Sequence, residues 1–544
     1  MARHSAELQH CLRAVESLVR SGDTAHAAKA AAESVAKGFE HTNLFILAAY
    51  FHIAQGNSDL GLACATRAAD LDPTNSDALN VRGLALAHLG RLREAISMYD
   101  ASLERARAAP HIHFNKGKAL EDLNENRAAK AEYERTVALQ PGHSDALARL
   151  ASLSALAGEF AGARRFAASA LRFDPQNHAA SIALAMADLA EEKFESAMAR
   201  LEPLMENPRL GTVNKSIAQG LVGDALNGIG NQAAAFAAWQ TSNDALRQFY
   251  HHTYQPVGVE TAFDRVQRLI TYFRAEGGNS WSNSGYIPSV SGLRHAFLVG
   301  FPRSGTTLLE QILDSHPDVE TLEERDCLAD AVEDFILTSD GLDLLASIEE
   351  EGLRPYRESY WKAAALHGIS RKRGVFVDKL PLNSVLLCLI AKLFPDAMIV
   401  FAVRDPRDVV LSCFRRRFSM TPQMYELLTL EGAANYYSSV MTLSKIYKDK
   451  LALPTHTLRY EDMIENFDAE VHRLLDFLDL DWHDSVRNFA EIARNKEINT
   501  PSAAQVTRGL YTQGIGQWRK YRLQLAPALP ALAPWIAQFG YSED

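Results

Sequence analysis

A 34-residue period in the first half of the chain constrains its fold more than any other feature of the sequence. Three kinds of residue recur at this spacing: prolines in short turns, glycine or asparagine where a left-handed turn is needed, and alanines where two helices cross closely. They are Pro73, Pro141 and Pro175; Gly56, Gly90, Asn124 and Gly158; and Ala95, Ala129 and Ala163. A helix pair of this length cannot bury its apolar face alone, so neighbouring copies must stack. The period therefore predicts a superhelix with a concave groove.

This pattern resembles the tetratricopeptide repeat. About four good copies occupy residues 42–177, and weaker copies flank them. We therefore predict an all-α tetratricopeptide domain over residues 1–245. The resemblance implies that the groove binds a protein or peptide; a purely structural or homo-oligomerising array is the alternative.

The pattern changes after the repeats. Residues 246–290 predict a connecting helix and a turn-rich linker. Over residues 291–544, four apolar segments each precede a helical one: "AFLVG", "GVFVDK", "MIVFAVR" and "THTLRY". This alternation predicts an α/β domain with a mainly parallel, doubly wound sheet.

Composition and charge exclude several classes of function. A net charge of −11 over 544 residues argues against non-specific nucleic-acid binding, which needs a broad basic face. No apolar run approaches the ~18 residues of a membrane span, and the N-terminal residues lack the apolar core of a signal peptide. The five cysteines are scattered without a C-x-x-C pair, which argues against a zinc site or a disulfide framework. We expect a cytoplasmic protein with no nucleic-acid or membrane partner.

A short loop follows the first predicted strand of the second half. Residues 300–307 read G-F-P-R-S-G-T-T, and a helical segment comes next. Backbone N–H groups at such a helix start favour an anion, and Arg303 adds a permanent, forked positive charge. Gly305 allows close backbone approach. A phosphate-loop kinase would carry a lysine after this glycine, but Thr306 stands there, so that function is only a distant alternative.

The string "PRSGTTLL" resembles the 5′-phosphosulfate loop of sulfotransferases that use 3′-phosphoadenosine 5′-phosphosulfate (PAPS). Two further places resemble that family: "MIVFAVRDPRDVVLSCF", whose arginine and serine match its 3′-phosphate pair, and "LRYED", whose tyrosine matches the aromatic residue near the adenine. The resemblance implies PAPS as sulfuryl donor. A transferred sulfuryl group carries less negative charge than a phosphoryl group, so we expect no metal. The implied donor-binding residues are Arg303, Ser304, Gly305, Thr306, Thr307, Arg404, Ser412 and Tyr460.

Three more places are similar to the tyrosylprotein sulfotransferases. They are "HPDVETLEERD" with Glu324, "VDKLPLN" with Lys379, and "TPSAAQV" with Ser502. The resemblance implies that Glu324 accepts the proton of a tyrosine hydroxyl, whose pKa is about 10. Lys379 and Ser502, together with Arg303, would stabilise charge on the leaving phosphate.

One position departs from those enzymes, since Asp326 stands where they carry a substrate-binding arginine. This departure puts a preference for acidic peptides in doubt. The basic run Arg415–Arg417 either compensates for it or is an exposed helix face.

The sequence thus predicts a tetratricopeptide superhelix followed by a P-loop-like α/β sulfotransferase domain that acts on a protein or peptide tyrosine. Three alternatives stay open: a carbohydrate or small-molecule acceptor, a phosphate-loop kinase, and an inactive partner-binding scaffold.

Overall fold

The computed structural model describes residues 2–275, 281, 292–370, 373–494, 509–510 and 514–542. The chain divides into two compact units, Met1–Ala187 and Asp188–Asp544. No helix within the described residues is both long and apolar enough to cross a membrane.

The first unit consists of antiparallel helices, and each of its first nine helices packs against the next one in the sequence. The helices are α1 (Ala2–Arg20), α2 (Thr24–Ala36), α3 (Thr42–Ala54), α4 (Ser58–Leu71), α5 (Ser76–His88), α6 (Leu92–Arg105), α7 (Pro110–Asp122), α8 (Asn126–Leu139), α9 (Ser144–Leu156), α10 (Phe160–Phe173) and the greater part of α11 (His178–Ala190).

The repeat positions explain this packing. A Cβ atom on Gly83 would lie 2.6 Å from the ring of Tyr99, so only glycine lets α5 and α6 approach this closely. Gly117 has the same relation to Tyr133 one repeat later, at 2.7 Å. The turn residues Gly56, Gly90, Asn124 and Gly158 all have positive φ angles, between 56° and 79°. The predicted repeat fold is confirmed.

The second unit begins with four helices and continues with a sheet covered by further helices. The helices after α11 are α12 (Phe194–Glu206), α13 (Thr212–Gly228), α14 (Gln232–Tyr254), α15 (Ala262–Ala275), α16 (Thr306–Asp314), α17 (Ala329–Phe335), α18 (Gly341–Ser347), α19 (Glu350–Leu366), α20 (Leu387–Leu393), α21 (Pro406–Arg415), α22 (Pro422–Tyr425), α23 (Leu430–Lys450), α24 (Tyr460–Glu465), α25 (Phe467–Phe477), α26 (Phe489–Arg494), α27 (Arg522–Leu525) and α28 (Leu529–Gln538). Short 3-10 segments span Pro381–Leu386, Glu426–Leu428, Asp484–Val486 and Gln517–Tyr521.

Helix α14 packs against α21 and α22, and α13 contacts the C-terminal segment through Asn227. The Asn243 side-chain amide on α14 donates to the carbonyl of Phe414 on α21 at 2.9 Å. The rings of Phe236 and Phe414 stack with centroids 5.2 Å apart. The Tyr521 hydroxyl donates to the Asn227 side-chain oxygen at 2.7 Å. The predicted domain limits at 245 and 290 remain predictions, and most of the predicted linker lies outside the described residues.

The five described strands are all parallel and lie in the order β2-β3-β1-β4-β5. They are β1 (Leu293–Gly300), β2 (Val319–Glu323), β3 (Gly374–Lys379), β4 (Met398–Val403) and β5 (Thr455–Arg459). Both faces of the sheet are buried: Phe297 and Val299 of β1 join one apolar core, whereas Ala296 and Leu298 join the other. The carboxyl ends of the strands meet at one edge, which is where open parallel sheets bind ligands.

Candidate functional site

The loop after β1 has an unusual backbone. Gly305 has φ 94° and Arg303 has φ 72°, which is the left-handed region that side chains rarely adopt. A Cβ atom on residue 305 would lie 2.6 Å from the ring of Tyr460, so the loop also needs glycine for close packing. Strain of this kind costs about 1–3 kcal/mol and is found mainly at functional sites.

The Arg303 side chain connects this loop to α21. Its Nε donates to the Ser412 hydroxyl at 3.0 Å. Burial, and then the nearby positive charge of Arg404, lower the pKa of Arg303 to about 10. The guanidinium is still a cation at neutral pH. Burial and the charge of Arg404 disfavour this charged form, and a bound anion would stabilise it.

Arg404 follows β4 and approaches the same loop from the other side. Its Nη1 donates to the carbonyl of Arg303 at 3.3 Å, and its Nη2 donates to the carbonyl of Gly514. The guanidinium lies 4.9 Å from the centre of the Tyr460 ring. Its Nε is buried and has no hydrogen-bond partner among the described residues. The structure therefore brings Arg303, Arg404, Ser412 and Tyr460 together, and we call these four residues the donor cluster.

The start of α21 holds this cluster in place. Asp405 caps the helix by accepting from the N–H of Arg407 at 2.9 Å, and Pro406 occupies the first helical turn. Asp408 accepts from the N–H groups of Gly516 and Trp518 at 2.7 and 2.8 Å. These bonds anchor the segment whose Gly514 carbonyl contacts Arg404. Burial raises the pKa of Asp408 to about 6.

A second group of charged residues lies where β2 and β3 end. The Lys379 side chain is fully buried, with Nζ 2.8 Å from Glu324 Oε1 and 3.1 Å from Glu310 Oε2. The Glu324 N–H also donates to the Lys379 carbonyl at 2.8 Å, which continues the pairing of the two strands. We call Lys379, Glu324 and Glu310 the transfer cluster.

The two carboxylates of the transfer cluster differ in access to solvent. The Glu324 side chain is 38% exposed and the Glu310 side chain is 1% exposed, so only Glu324 can meet an incoming molecule. Burial alone lowers the pKa of Lys379, but the charges of Glu310 and Glu324 outweigh it and the pKa is raised. Burial raises the pKa of Glu310 well above its usual value despite the opposing charge of Lys379. Lys379 is therefore an ammonium at neutral pH.

Behind Lys379, on the other face of the sheet, lies a chain of buried polar groups. The Tyr360 hydroxyl donates to Asp378 Oδ2 at 2.7 Å, and His295 Nε2 lies 2.9 Å from that hydroxyl. Burial raises the pKa of Asp378 to about 7 and lowers the pKa of His295 to about 3. These groups do not reach the transfer cluster, but they fix the strand that carries Lys379.

The basic run Arg415–Arg417 is neither an exposed helix face nor an open binding surface for an acidic peptide. Arg417 pairs with Asp224 of α13, and the Arg415 guanidinium lies 4.5 Å from the centre of the Trp239 ring on α14. Burial, and then the charge of Arg303, lower the pKa of Arg416 to about 9. Arg416 therefore adds positive charge beside the donor cluster.

The remaining predicted residues have the following positions. Ser304, Thr306 and Thr307 are buried at the start of α16, beside the donor cluster. Asp326 is exposed beyond β2. Ser502 lies outside the described residues, so its predicted role is untested. Within those residues, no group of three or more His, Cys, Asp or Glu side chains is arranged to hold a metal ion.

Sequence reasoning missed Glu310 and the contact of Asp408 with the C-terminal segment. Glu310 carries the clearest signal, because it is a carboxylate in the apolar run "TTLLEQIL" and lies four residues after Thr306, on the same helix face. A charged residue at a buried position usually has an ionic partner.

Comparison with known proteins agrees with this geometry. Residues 296–484 match the model of the sulfotransferase family, and residues 46–110 and 114–178 match that of the tetratricopeptide repeat. The chain carries tetratricopeptide repeats and a sulfotransferase domain. The repeats account for the first unit, and both charged clusters belong to the sulfotransferase domain.

Similar proteins match different shares of the chain. An uncharacterized protein of Aquifex aeolicus (strain VF5) is 24% identical over 469 residues, which are 82% of this chain and 58% of that protein. Protein-tyrosine sulfotransferase 1 of Danio rerio is 27% identical over 259 residues, 45% of this chain and 71% of its own length. Protein-tyrosine sulfotransferase of Drosophila melanogaster is 26% identical over 270 residues, 45% of this chain and 51% of its own length. The chain thus spans little more than half of the first and third of these relatives.

Proposed function

We propose that the protein is a PAPS-dependent sulfotransferase that transfers the sulfuryl group to a tyrosine of a protein or peptide. The observation that carries this proposal is the donor cluster. Within it, the guanidinium of Arg404 donates to the carbonyl of Arg303, and its buried Nε has no hydrogen-bond partner among the described residues. A buried donor of this kind costs free energy unless a ligand accepts its hydrogen bond.

PAPS fits the chemistry of these residues. Arg404 and Ser412 would hold its 3′-phosphate, whereas Arg303 and the amides of residues 304–307 would hold its 5′-phosphosulfate. Tyr460 offers an aromatic face for the adenine. When bound, PAPS supplies the sulfuryl group and leaves as 3′-phosphoadenosine 5′-phosphate.

The transfer cluster supports the role of Glu324 as general base. The acceptor hydroxyl oxygen bonds to sulfur, the bond from sulfur to the phosphate oxygen breaks, and the hydroxyl proton goes to Glu324. Lys379 initially pairs with Glu324, but Glu310 also holds it. Lys379 can therefore release Glu324 and turn toward negative charge on the leaving phosphate without becoming an uncompensated buried cation.

The tyrosine acceptor rests on the protein-tyrosine sulfotransferases among the similar proteins. We infer that acidic residues beside the tyrosine are not required, because Asp326 is exposed and both Arg415 and Arg417 are engaged by α13 and α14. The repeats would recruit the acceptor protein. All five cysteines are free, as is usual in a reducing compartment, and we propose the cytoplasm.

The proposal is tested with radiolabelled PAPS and a peptide that carries one tyrosine flanked by neutral residues. We expect label in this peptide and none in a matched peptide with phenylalanine, and we expect the reaction to proceed in EDTA. Label transferred to a sugar but never to a tyrosine peptide would favour the carbohydrate alternative. Binding of ATP with magnesium, tighter than that of 3′-phosphoadenosine 5′-phosphate, would favour a kinase and contradict the proposal.

A further inference from the structure

A cleft of about 280 Å³ is lined in part by residues of β4 and of the edge strand β5. Its lining includes Phe401 and Val403 of β4, Met441 of α23, Leu451 just after α23, and Trp535 of α28. Each of these five side chains is at least 91% buried. None of the described residues that line the cleft belongs to the donor cluster or the transfer cluster.

Three polar side chains that line the cleft are hydrogen-bonded within the protein. The Tyr447 hydroxyl donates to the Val385 carbonyl at 3.0 Å, the Trp535 indole N–H donates to the Ser438 hydroxyl at 3.0 Å, and the Ser444 hydroxyl donates to the Val440 carbonyl at 2.8 Å. The interior therefore presents mainly carbon to an occupant. Pockets of this type bind apolar groups and take their orientation from a few polar groups at the edge.

Two lysines supply these polar groups. Lys445 and Lys448 both line the cleft from α23, where residues three apart lie on the same side of a helix. Both are exposed, and neither pairs with a carboxylate among the described residues. Two like charges at one rim repel each other, so an anion placed between them is favoured.

We propose that this cleft binds an amphipathic anion, namely an aliphatic carboxylate whose chain fills the cleft and whose head group lies between Lys445 and Lys448. The volume equals that of roughly nine water molecules at ~30 Å³ each, which suits an alkyl chain of roughly eight to ten carbons. The site is independent of sulfuryl transfer.

Calorimetry on the full-length protein tests the proposal, with decanoate as the probe below its micelle-forming concentration. We expect one molecule to bind per chain, with a change in Trp535 fluorescence. Affinity should rise about fourfold for each methylene from hexanoate to decanoate. Decanol and decyltrimethylammonium have the same chain without the negative charge, and both should bind more weakly.

Variants identify the site. The double change Lys445→Glu and Lys448→Glu should weaken decanoate binding about tenfold and leave decanol binding unchanged. The matched control is Lys29→Glu with Lys37→Glu, which changes the net charge equally on exposed residues of the first unit and should have no effect. Ser444→Trp should fill the cleft and abolish binding of both probes.

Three results would overturn the proposal: no binding of decanoate, binding no tighter than that of decanol, or equal loss in the Lys445/Lys448 and Lys29/Lys37 variants. The first would also be seen if a segment of the chain itself covered the cleft. Because the lysines are exposed, the double variant keeps the test valid even if Ser444→Trp fails to fold.

Discussion

The donor cluster and the transfer cluster lie at the same edge of the sheet, but they balance charge in opposite ways. Arg303 and Arg404 lie close together, and burial together with the positive charge of Arg404 lowers the pKa of Arg303. Lys379 is held between two carboxylates, which raise its pKa. The first cluster is incomplete until an anionic ligand binds, whereas the second is already neutralised and has to rearrange to act. Binding and chemistry should therefore respond to different mutations.

The largest expected effect belongs to the transfer cluster. Glu324→Gln keeps the size of the side chain but removes the proton acceptor, so turnover should fall on the order of 10²–10⁴-fold. Affinity for 3′-phosphoadenosine 5′-phosphate, measured by calorimetry, should stay nearly unchanged. Glu320→Gln, a change of the same kind on β2, which ends just before Glu324, is the control. Near-normal turnover of the Glu324 variant on a tyrosine peptide would remove Glu324 from the mechanism.

The opposite pattern is expected for the donor cluster. Arg404→Ala should weaken binding of 3′-phosphoadenosine 5′-phosphate by about 2–3 kcal/mol, the scale of hydrogen bonds to charged groups. Adenosine 5′-phosphosulfate lacks the 3′-phosphate and should bind equally to both proteins. If both ligands lost the same affinity, Arg404 would only support the loop through the Arg303 and Gly514 carbonyls.

Glu310 tests whether a buried member of the transfer cluster affects turnover, because no substrate can reach its side chain. In Glu310→Gln, Glu324 is the remaining carboxylate of the cluster that pairs with Lys379, so Lys379 holds Glu324 more tightly and turnover should fall. The fall should be smaller than in Glu324→Gln, because the proton acceptor is still present. Residues in one ionic network couple by about 0.5–3 kcal/mol. In a double-mutant cycle of the two changes, the losses in turnover should therefore be less than additive. Strictly additive losses would mean that Glu310 stabilises the fold without acting through Lys379.

The smallest effect on catalysis is expected behind the transfer cluster. The folded protein keeps the Asp378 proton up to pH about 7, whereas the ordinary value is 3.8. The contribution of this group to stability therefore falls as the pH rises between these values. Asp378→Asn removes this dependence, so the free energy of unfolding of the variant relative to the parent should increase from pH ~4 to ~8.

Chemical denaturation at several pH values measures this difference. Tyr360→Phe removes the hydrogen bond that favours the charged carboxylate, so the pKa of Asp378 in the folded protein should rise. The pH range over which stability falls should then extend to higher pH. A difference between Asp378→Asn and the parent that does not vary with pH would show that the carboxyl is already ionised throughout the range.

The sequence predicts much of this molecule because several signals are local. The 34-residue period depends on glycines and alanines that allow close helix crossings, and the structure confirms the resulting fold. The donor cluster was predicted from short strings that each join a strand to a helix. In a parallel sheet, such junctions necessarily meet at one edge.

Other features could not be predicted because they depend on side chains that approach across the fold. The contact of Glu310 with Lys379 joins a helix and a strand far apart in the chain, and Asp408 meets the backbone of Gly516 only after the C-terminal segment has packed. Likewise, the sequence alone does not show that Arg415 contacts Trp239 of α14 and that Arg417 pairs with Asp224 of α13. A repeat-like helix does not reveal in its sequence which neighbour will cover it.

The packing of α13 and α14 on α21 has a consequence for protein engineering. A minimal catalyst cut just before β1 would leave Phe414 without its stacking partner, Arg417 without Asp224 and the Phe414 carbonyl without Asn243. These losses fall a few residues from Ser412, so the donor cluster of the shortened chain would be held less firmly. We therefore expect that a portable sulfotransferase domain has to begin ahead of α12, because α13 and α14 support the helix that carries Ser412.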